Sequence, residues 1–129
     1  MIGIAAAIVV LLVILMVLQH RSDVTFTELQ RLVSPDNAHV LTIRLASPSL
    51  PYGSHLVEAL ISRAADQEVL VNERFRLAND GSAVTLRNVE SRWLDDDSVA
   101  LCLRGAEQPD SRVTLRLSTA LVSSSIRYC

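Results

Sequence analysis

Three consecutive acids, Asp95-Asp96-Asp97, form the densest cluster of charge in this 129-residue chain. Neighbouring carboxylates could hold a hard cation, but a calcium loop also needs alternating oxygen ligands, a glycine bend and a distal glutamate. Adjacent acids in a turn between two strands point in different directions. The sequence therefore favours a solvated turn over a metal site.

The histidines are His20, His39 and His55. No pair has the i, i+4 spacing of a helical metal site, and no Cys-x-x-Cys accompanies them. His39 and His55 flank the first predicted strand and its loop, so they could approach each other and, with an acid, form a small active site. Structural roles are favoured for all three, and we predict no metal or cofactor.

Nucleophilic chemistry has little support in the sequence. The serines at 123–125 lack a Gly-x-Ser-x-Gly setting, and no glycine-rich phosphate loop is present. All twelve basic residues are arginine, so Schiff-base chemistry and the P-loop lysine are excluded. We therefore predict no catalytic residues and a protein that is not an enzyme.

The two cysteines are Cys102 and Cys129. Cys102 alternates with apolar neighbours and is expected on the opposite face of its strand. A disulfide requires Cα atoms within about 7 Å and an oxidising compartment. Both states stay open at this point: a possible Cys102–Cys129 bond, and the two free thiols that the expected location favours.

Two aromatic residues are candidates for an interface with a partner, Trp93 and Tyr52. Trp93, the sole tryptophan, could anchor a partner. Filling one end of the core is the more ordinary role for it.

Residues 2–18 carry no charged or hydrogen-bonding side chain. A run of this length lies at the short end of the roughly 17–25 residues that cross a bilayer, and no small-x-small cleavage site follows it. The sequence predicts a retained transmembrane anchor over 1–20. Gly3, Ala5, Ala6 and Ala7 could form a helix-packing face in the membrane.

The sequence predicts a single-pass protein of the inner cell membrane. Arg21 and Arg31 follow the anchor, and basic residues near such a segment tend to stay cytoplasmic; the domain is expected inside rather than in the periplasm or outside. A net charge of −2 gives no electrostatic case for nucleic acid. The expected partners are the lipid bilayer and another membrane protein, and no small-molecule substrate is evident.

Beyond the anchor, Thr25 and Glu28 have capping-box spacing and apolar residues recur at helical intervals up to Pro35. This pattern predicts a juxtamembrane helix or linker over 21–35, and SPDN at 34–37 predicts a turn. A helix is preferred over a strand for residues 54–66. Alternating apolar residues predict strands at 39–47, 68–77, 83–89, 99–104 and 112–118, with a last edge strand from 120, and Asp80-Gly81 predicts a hairpin.

The segments SPDNAHVLTI and RWLDDDSVALCL resemble small, largely uncharacterised bacterial membrane-anchored β-domain proteins with an SPDG-type strand start. The likeness covers residues 34–105 and departs from the pattern at Asn37. It implies an extracytoplasmic domain and supplies no catalytic residues.

The predicted fold class is α+β: one N-terminal transmembrane helix, then a small domain over 36–129 dominated by an antiparallel β-meander with one or two short helices. The predicted function is a non-enzymatic accessory or assembly subunit that docks to a larger membrane complex. The alternative is an extracytoplasmic ligand- or toxin-binding protein of the immunity or sensor type, which an oxidised cysteine pair would favour.

Overall fold

The computed structural model describes residues 2–19, 24–47, 54–117, 123–125 and 129. Those residues form one helix followed by eight strands. The elements are α1 (Ile2–Gln19), β1 (Thr25–Val33), β2 (His39–Ser47), β3 (Ser54–Arg63), β4 (Val69–Ala78), β5 (Val89–Trp93), β6 (Ser98–Leu103), β7 (Ser111–Arg116) and β8 (Ser123–Ser125). Strand order is β1-β2-β3-β4 in one sheet, called sheet A, and β5-β6-β7-β8 in the second, called sheet B.

The structure does not support the transmembrane anchor predicted over 1–20. Among the described residues, no helix combines the length and the apolar character that crossing a membrane demands. The single-pass and inner-membrane predictions therefore lose their basis.

The fold class is also corrected, from α+β to mostly β. Both sheets are antiparallel and each is a simple meander. Their facing sides share one buried core, which includes Ile43 and Ile61 from sheet A and Leu101 and Leu115 from sheet B. The molecule is therefore a two-layer sandwich in which each layer comes from one half of the chain.

The juxtamembrane helix predicted within 21–35 is wrong, because residues 25–33 form β1. This strand pairs with β2 from Thr25 opposite Ser47 to Val33 opposite Val40. A bulge between Glu28 and Gln30 inserts Leu29. One extra residue breaks the period of two, so apolar side chains recur at intervals that resemble a helix.

The helix preferred for residues 54–66 is wrong as well. Ser54–Arg63 is β3, a central strand paired with β2 and β4. Its inward side chains Val57 and Ile61 are fully buried, and its outward Leu56 and Leu60 are half-buried. A strand that is apolar on both faces loses its alternation, so helix and strand patterns become hard to separate.

The strands predicted at 39–47 and 68–77 are confirmed as β2 and β4. The SPDN turn is also confirmed, because the Asn37 amide donates to the Ser34 carbonyl at 3.0 Å. The hairpin predicted at Asp80-Gly81 is wrong. Both residues have positive φ, as such a turn requires, but residues 82–85 do not pair with β4. Instead the chain crosses from sheet A to sheet B.

Candidate functional site

The outward side chains of sheet A form a nearly regular array on a face that the second sheet does not cover, here called the outer face. Successive side chains of a strand alternate between faces, and the inward set is in the core. The register then places outward residues in cross-strand rows. These rows are Val33, Val40, Ser62 and Val69; Arg31, Thr42, Leu60 and Asn72; Glu28, Arg44, Glu58 and Arg74; and, at the far end, Phe26, Leu56 and Arg76.

Glu58 lies at the centre of this face and is fully buried. Arg44 donates from Nε to Glu58 Oε2 at 2.8 Å and also from Nη2, while Arg74 donates from Nε to Oε1 at 3.1 Å. Each carboxylate oxygen therefore has a charged donor, which an ion in a buried position requires. We call Phe26, Arg44, Glu58 and Arg74 the arginine–glutamate cluster.

Phe26 covers the arginine–glutamate cluster from β1. Its ring centroid lies 4.9 Å from the guanidinium carbon of Arg44 and 5.5 Å from that of Arg74. Both distances are within the range of cation–π attraction. The ring and the shared carboxylate thus hold two guanidiniums in fixed positions, with one net positive charge left over.

A cavity of about 230 Å³ opens beside the cluster. Its lining includes the cationic residues Arg31, Arg44 and Arg63, the hydroxyl residues Thr42 and Ser62, and the acidic residue Glu28. The apolar part of the wall comes from Val40, Leu60, Ala64 and Val69. The cavity combines forked cationic donors with a short apolar wall, a composition that suits a carboxylate on a methylene stem.

The arginines around this cavity differ in how firmly they are paired. Arg63 donates from Nη1 to Asp66 at 2.7 Å and to Glu68 at 2.6 Å. The hydrogen bond that Arg63 donates to Asp66 raises the pKa of the Arg63 guanidinium. The pKa of Asp66 lies below its usual range, first because Asp66 accepts from the Glu68 amide and then because it accepts from Arg63. Arg31 contacts Glu28 through Nη2 to Oε2 and through Nε to Oε1, both at 3.4 Å and both exposed. These are longer than the contacts of Arg44 and Arg63, so Arg31 is the least firmly held arginine of this cavity.

His39 and His55, the predicted histidine pair, lie at opposite ends of sheet A. His39 is opposite Arg63 in the register, and Arg63 is eight residues beyond His55 on β3, a separation of about 27 Å along the strand. Nδ1 of His39 and Nε2 of His55 are both buried without a hydrogen-bond partner among the described residues. The two rings therefore do not meet in a shared site, and His20 is outside the described residues.

The Asp95-Asp96-Asp97 segment is a bend between β5 and β6. Asp95 Oδ1 accepts from the Asp97 amide at 2.9 Å. A hydrogen bond from the Ser98 hydroxyl, followed by that from the Asp97 amide, holds the pKa of Asp95 below its usual range. Within the described part of the chain, no three histidine, cysteine or acidic residues are grouped closely enough to hold a metal ion.

Cys102 and Cys129 are joined in a disulfide, with their Cα atoms 5.7 Å apart. Of the two states that the sequence left open, the structure contains the bonded one rather than the favoured free thiols. Cys102 is central in sheet B, between Glu90 of β5 and Arg112 of β7. The bond lines a shallow cavity of about 110 Å³ on the outward side of sheet B.

Of the two aromatic residues predicted as interface candidates, Trp93 and Tyr52, the structure describes the first. Trp93 packs against the core, and its Nε1 donates to the Leu32 carbonyl at 3.3 Å, so it joins β5 to β1 at one side of the sandwich. Tyr52 is outside the described residues. In the proposed helix-packing face, Ala7 is exposed, and the side chains of Gly3, Ala5 and Ala6 are outside the description.

Sequence reasoning did not find the arginine–glutamate cluster. Its four members come from four strands, and two of those strands, β1 and β3, were expected to be helices. Once β1 and β3 are assigned as strands, the outward residues Arg44, Glu58 and Arg74 fall at directly opposite positions on neighbouring strands. Opposite charges at such positions are the pattern by which the cluster could have been predicted.

Comparisons with family models, curated proteins and solved structures found no match. The resemblance to small anchored β-domain proteins therefore stays a prediction.

Proposed function

We propose that this chain is a non-enzymatic docking protein that works in an oxidising compartment and holds a protein partner against the outer face of sheet A. The observation that carries the proposal is the fixed arrangement of Phe26, Arg44 and Arg74 around the buried carboxylate of Glu58. Aromatic and arginine side chains in ordered positions are the groups that most often dominate binding energy at protein interfaces.

Preorganisation supports the same proposal. An exposed arginine loses rotamer entropy when a partner immobilises it, which costs about 0.5–1.5 kcal/mol for each flexible side chain. Arg44 and Arg74 are already held by Glu58 and by the Phe26 ring, so less of that cost remains. The outer face therefore offers a partner two guanidinium groups that lose less side-chain entropy when the partner binds.

The disulfide supports the proposed compartment. Disulfides persist where the surroundings are oxidising and are rare in the reducing cytosol. The Cys102–Cys129 bond therefore favours an extracytoplasmic location, which is opposite to the cytoplasmic side expected from Arg21 and Arg31.

A second candidate function is binding of a ligand or toxin, as in an immunity or sensor protein. The cavity of about 230 Å³ beside the cluster favours it, because a concave site with convergent polar groups is the usual form of a ligand site. Its volume is below the roughly 300–1,000 Å³ of pockets that enclose drug-sized ligands, so the docking proposal is preferred.

Site-specific photocrosslinking of the full chain in its host cells would test the docking proposal. A photoreactive residue at Asn72 or Arg76 samples the outer face of sheet A. Matched controls at Arg92 and Arg116 sample exposed positions on sheet B. We expect one discrete adduct from both sheet A positions and none from the controls.

The identity of the adduct decides between the two candidate functions. An adduct of defined protein mass supports docking, whereas a small-molecule adduct supports the second candidate. Absence of any adduct at Asn72 and Arg76, or equal adducts from sheet A and sheet B, would contradict the docking proposal.

A further inference from the structure

The outer face of sheet A carries a charge opposite in sign to that of the whole chain. Its outward rows contain the cations Arg31, Arg44, Arg74 and Arg76 and the anions Glu28 and Glu58, an excess of two positive charges. The complete chain has a net charge of −2. The positive face is therefore a local feature rather than a result of composition, and it complements an acidic surface.

Within that face, the cavity gives the positive charge a defined receptor. The Arg44 side chain is about one-third exposed and directs Nε and Nη2 to Glu58. A guanidinium has five N–H donors, so part of the Arg44 fork remains available at the cavity wall. Arg31 lines the same cavity from β1, and its two contacts with Glu28 are exposed and 3.4 Å long.

The apolar wall selects among anions. Val40, Leu60 and Val69 line the cavity next to the cationic groups. The methylene stem of a glutamate side chain would contact these residues while its carboxylate meets Arg31 and Arg44. A phosphate group has no such stem and carries more charge, so the carboxylate of Glu28 in the same wall would repel it more strongly.

From these features we infer that the cavity between Arg31 and Arg44 receives a glutamate or aspartate side chain from an acidic segment of the partner protein. This inference rests on the proposed docking function and specifies the partner's chemistry. Arg44 acts as the fixed donor and Arg31 closes over the carboxylate, while Thr42 and Ser62 line the same cavity.

Fluorescence anisotropy with a labelled hexaglutamate peptide tests the inference on the oxidised full chain at low salt. A labelled hexaglutamine peptide of equal length is the uncharged control. We expect saturable binding of hexaglutamate, no binding of hexaglutamine, and weaker binding as salt rises, because both Coulomb partners are near the surface.

Arg31→Gln is the informative variant, since its side chain is 60% exposed and the fold does not depend on it. We expect it to weaken hexaglutamate binding about tenfold, the effect of losing one charge-assisted hydrogen-bond pair. Arg87→Gln, which removes an exposed arginine outside the outer face, should change binding less than about twofold. Equal losses in both variants would overturn the assigned site.

Competition separates the possible occupants. Free glutarate should displace the peptide at lower concentration than inorganic phosphate, and the reverse order would overturn the carboxylate assignment. Self-association abolished by Asp96→Asn would identify a second copy of this chain as the occupant and would also overturn the inference. Crosslinks at Asn72 and Arg76 without hexaglutamate binding would leave docking intact and reject only the acidic partner.

Discussion

At the scale of single residues, the end of β4 makes a close backbone contact with the loop between β6 and β7. The Ala78 amide donates to Gln108 Oε1 at 2.9 Å, and the Ala78 carbonyl accepts from the Glu107 amide at 3.2 Å. Gly105 lies directly against the same carbonyl. This contact ties the end of sheet A to the loop between β6 and β7, and it requires a residue without a side chain.

Gly105→Ala should therefore destabilise the protein by about 2–4 kcal/mol, a large value for a single methyl group. The new Cβ would overlap the Ala78 carbonyl oxygen and lie 2.9 Å from Gln108 Cγ. Because the carbonyl belongs to backbone that is hydrogen-bonded on both sides, it cannot move aside cheaply. Urea denaturation of the oxidised full chain would measure the loss.

Gly81→Ala provides the matched control for the Gly105 prediction. Gly81 has a φ of +68° and no atom within 4 Å of a new Cβ, so only backbone strain of about 1–2 kcal/mol opposes the change. A Gly105→Ala cost no greater than that of Gly81→Ala would show that the Ala78 junction yields easily.

At the scale of elements, the bulge in β1 explains the main failure of sequence reasoning. Phe26 lies on the outer face and Leu32 packs against the core. Leu29 is the extra residue of the bulge, and because it is apolar, apolar side chains stand at every third position from Phe26 to Leu32. A helix gives the same spacing. The uninterrupted strand β2 was predictable because Leu41, Ile43 and Leu45 keep strict alternation, whereas β1 was not.

The central charge of β3 has a role in stability as well as in binding. Glu58→Ala should lower the free energy of unfolding by about 1–3 kcal/mol, because it leaves Arg44 and Arg74 adjacent without their shared carboxylate. Both arginines are partly exposed, so water recovers some of the loss. Thermal and urea denaturation would measure it.

Glu28→Ala is the control for the Glu58 prediction. Glu28 lies on the same face but is paired only with Arg31 at 3.4 Å, in an exposed position. Such pairs contribute little, and we expect a change within about 0.5 kcal/mol. Equal effects of Glu28→Ala and Glu58→Ala would mean that the buried carboxylate has no special structural role.

At the scale of the whole molecule, the strands of the sandwich were more predictable than its layers. Alternation located β2, β4, β6 and β7, and it placed Cys102 on the face opposite to Leu101 and Leu103. The crossing between the sheets was missed because Asp80-Gly81 is typical of a hairpin. The decisive contacts there are non-local: Asn79 Oδ1 accepts from Asn88 Nδ2 at 3.3 Å and from the Ala106 amide at 3.2 Å. Such contacts leave no trace in local periodicity.

The disulfide should be a main source of stability for sheet B. It joins residues separated by 27 positions, and the chain-entropy treatment assigns such a loop about 3–4 kcal/mol. Urea denaturation with and without reductant should differ by about that amount. A chain carrying Cys102→Ser and Cys129→Ser should match the reduced protein and should not respond to reductant. An unchanged midpoint on reduction would contradict the expected role.

Sheet A comes from residues 25–78 and sheet B from residues 89–125, and among the described strands the chain passes from one sheet to the other once, between β4 and β5. The exposed part of that link, around Asp80 and Gly81, has few contacts to lose. A peptide ending there would carry one complete layer of the sandwich, and a peptide beginning there would carry the other layer with both cysteines. We therefore expect two fragments cut at this link to reassemble when mixed, because each sheet covers the apolar face of the other.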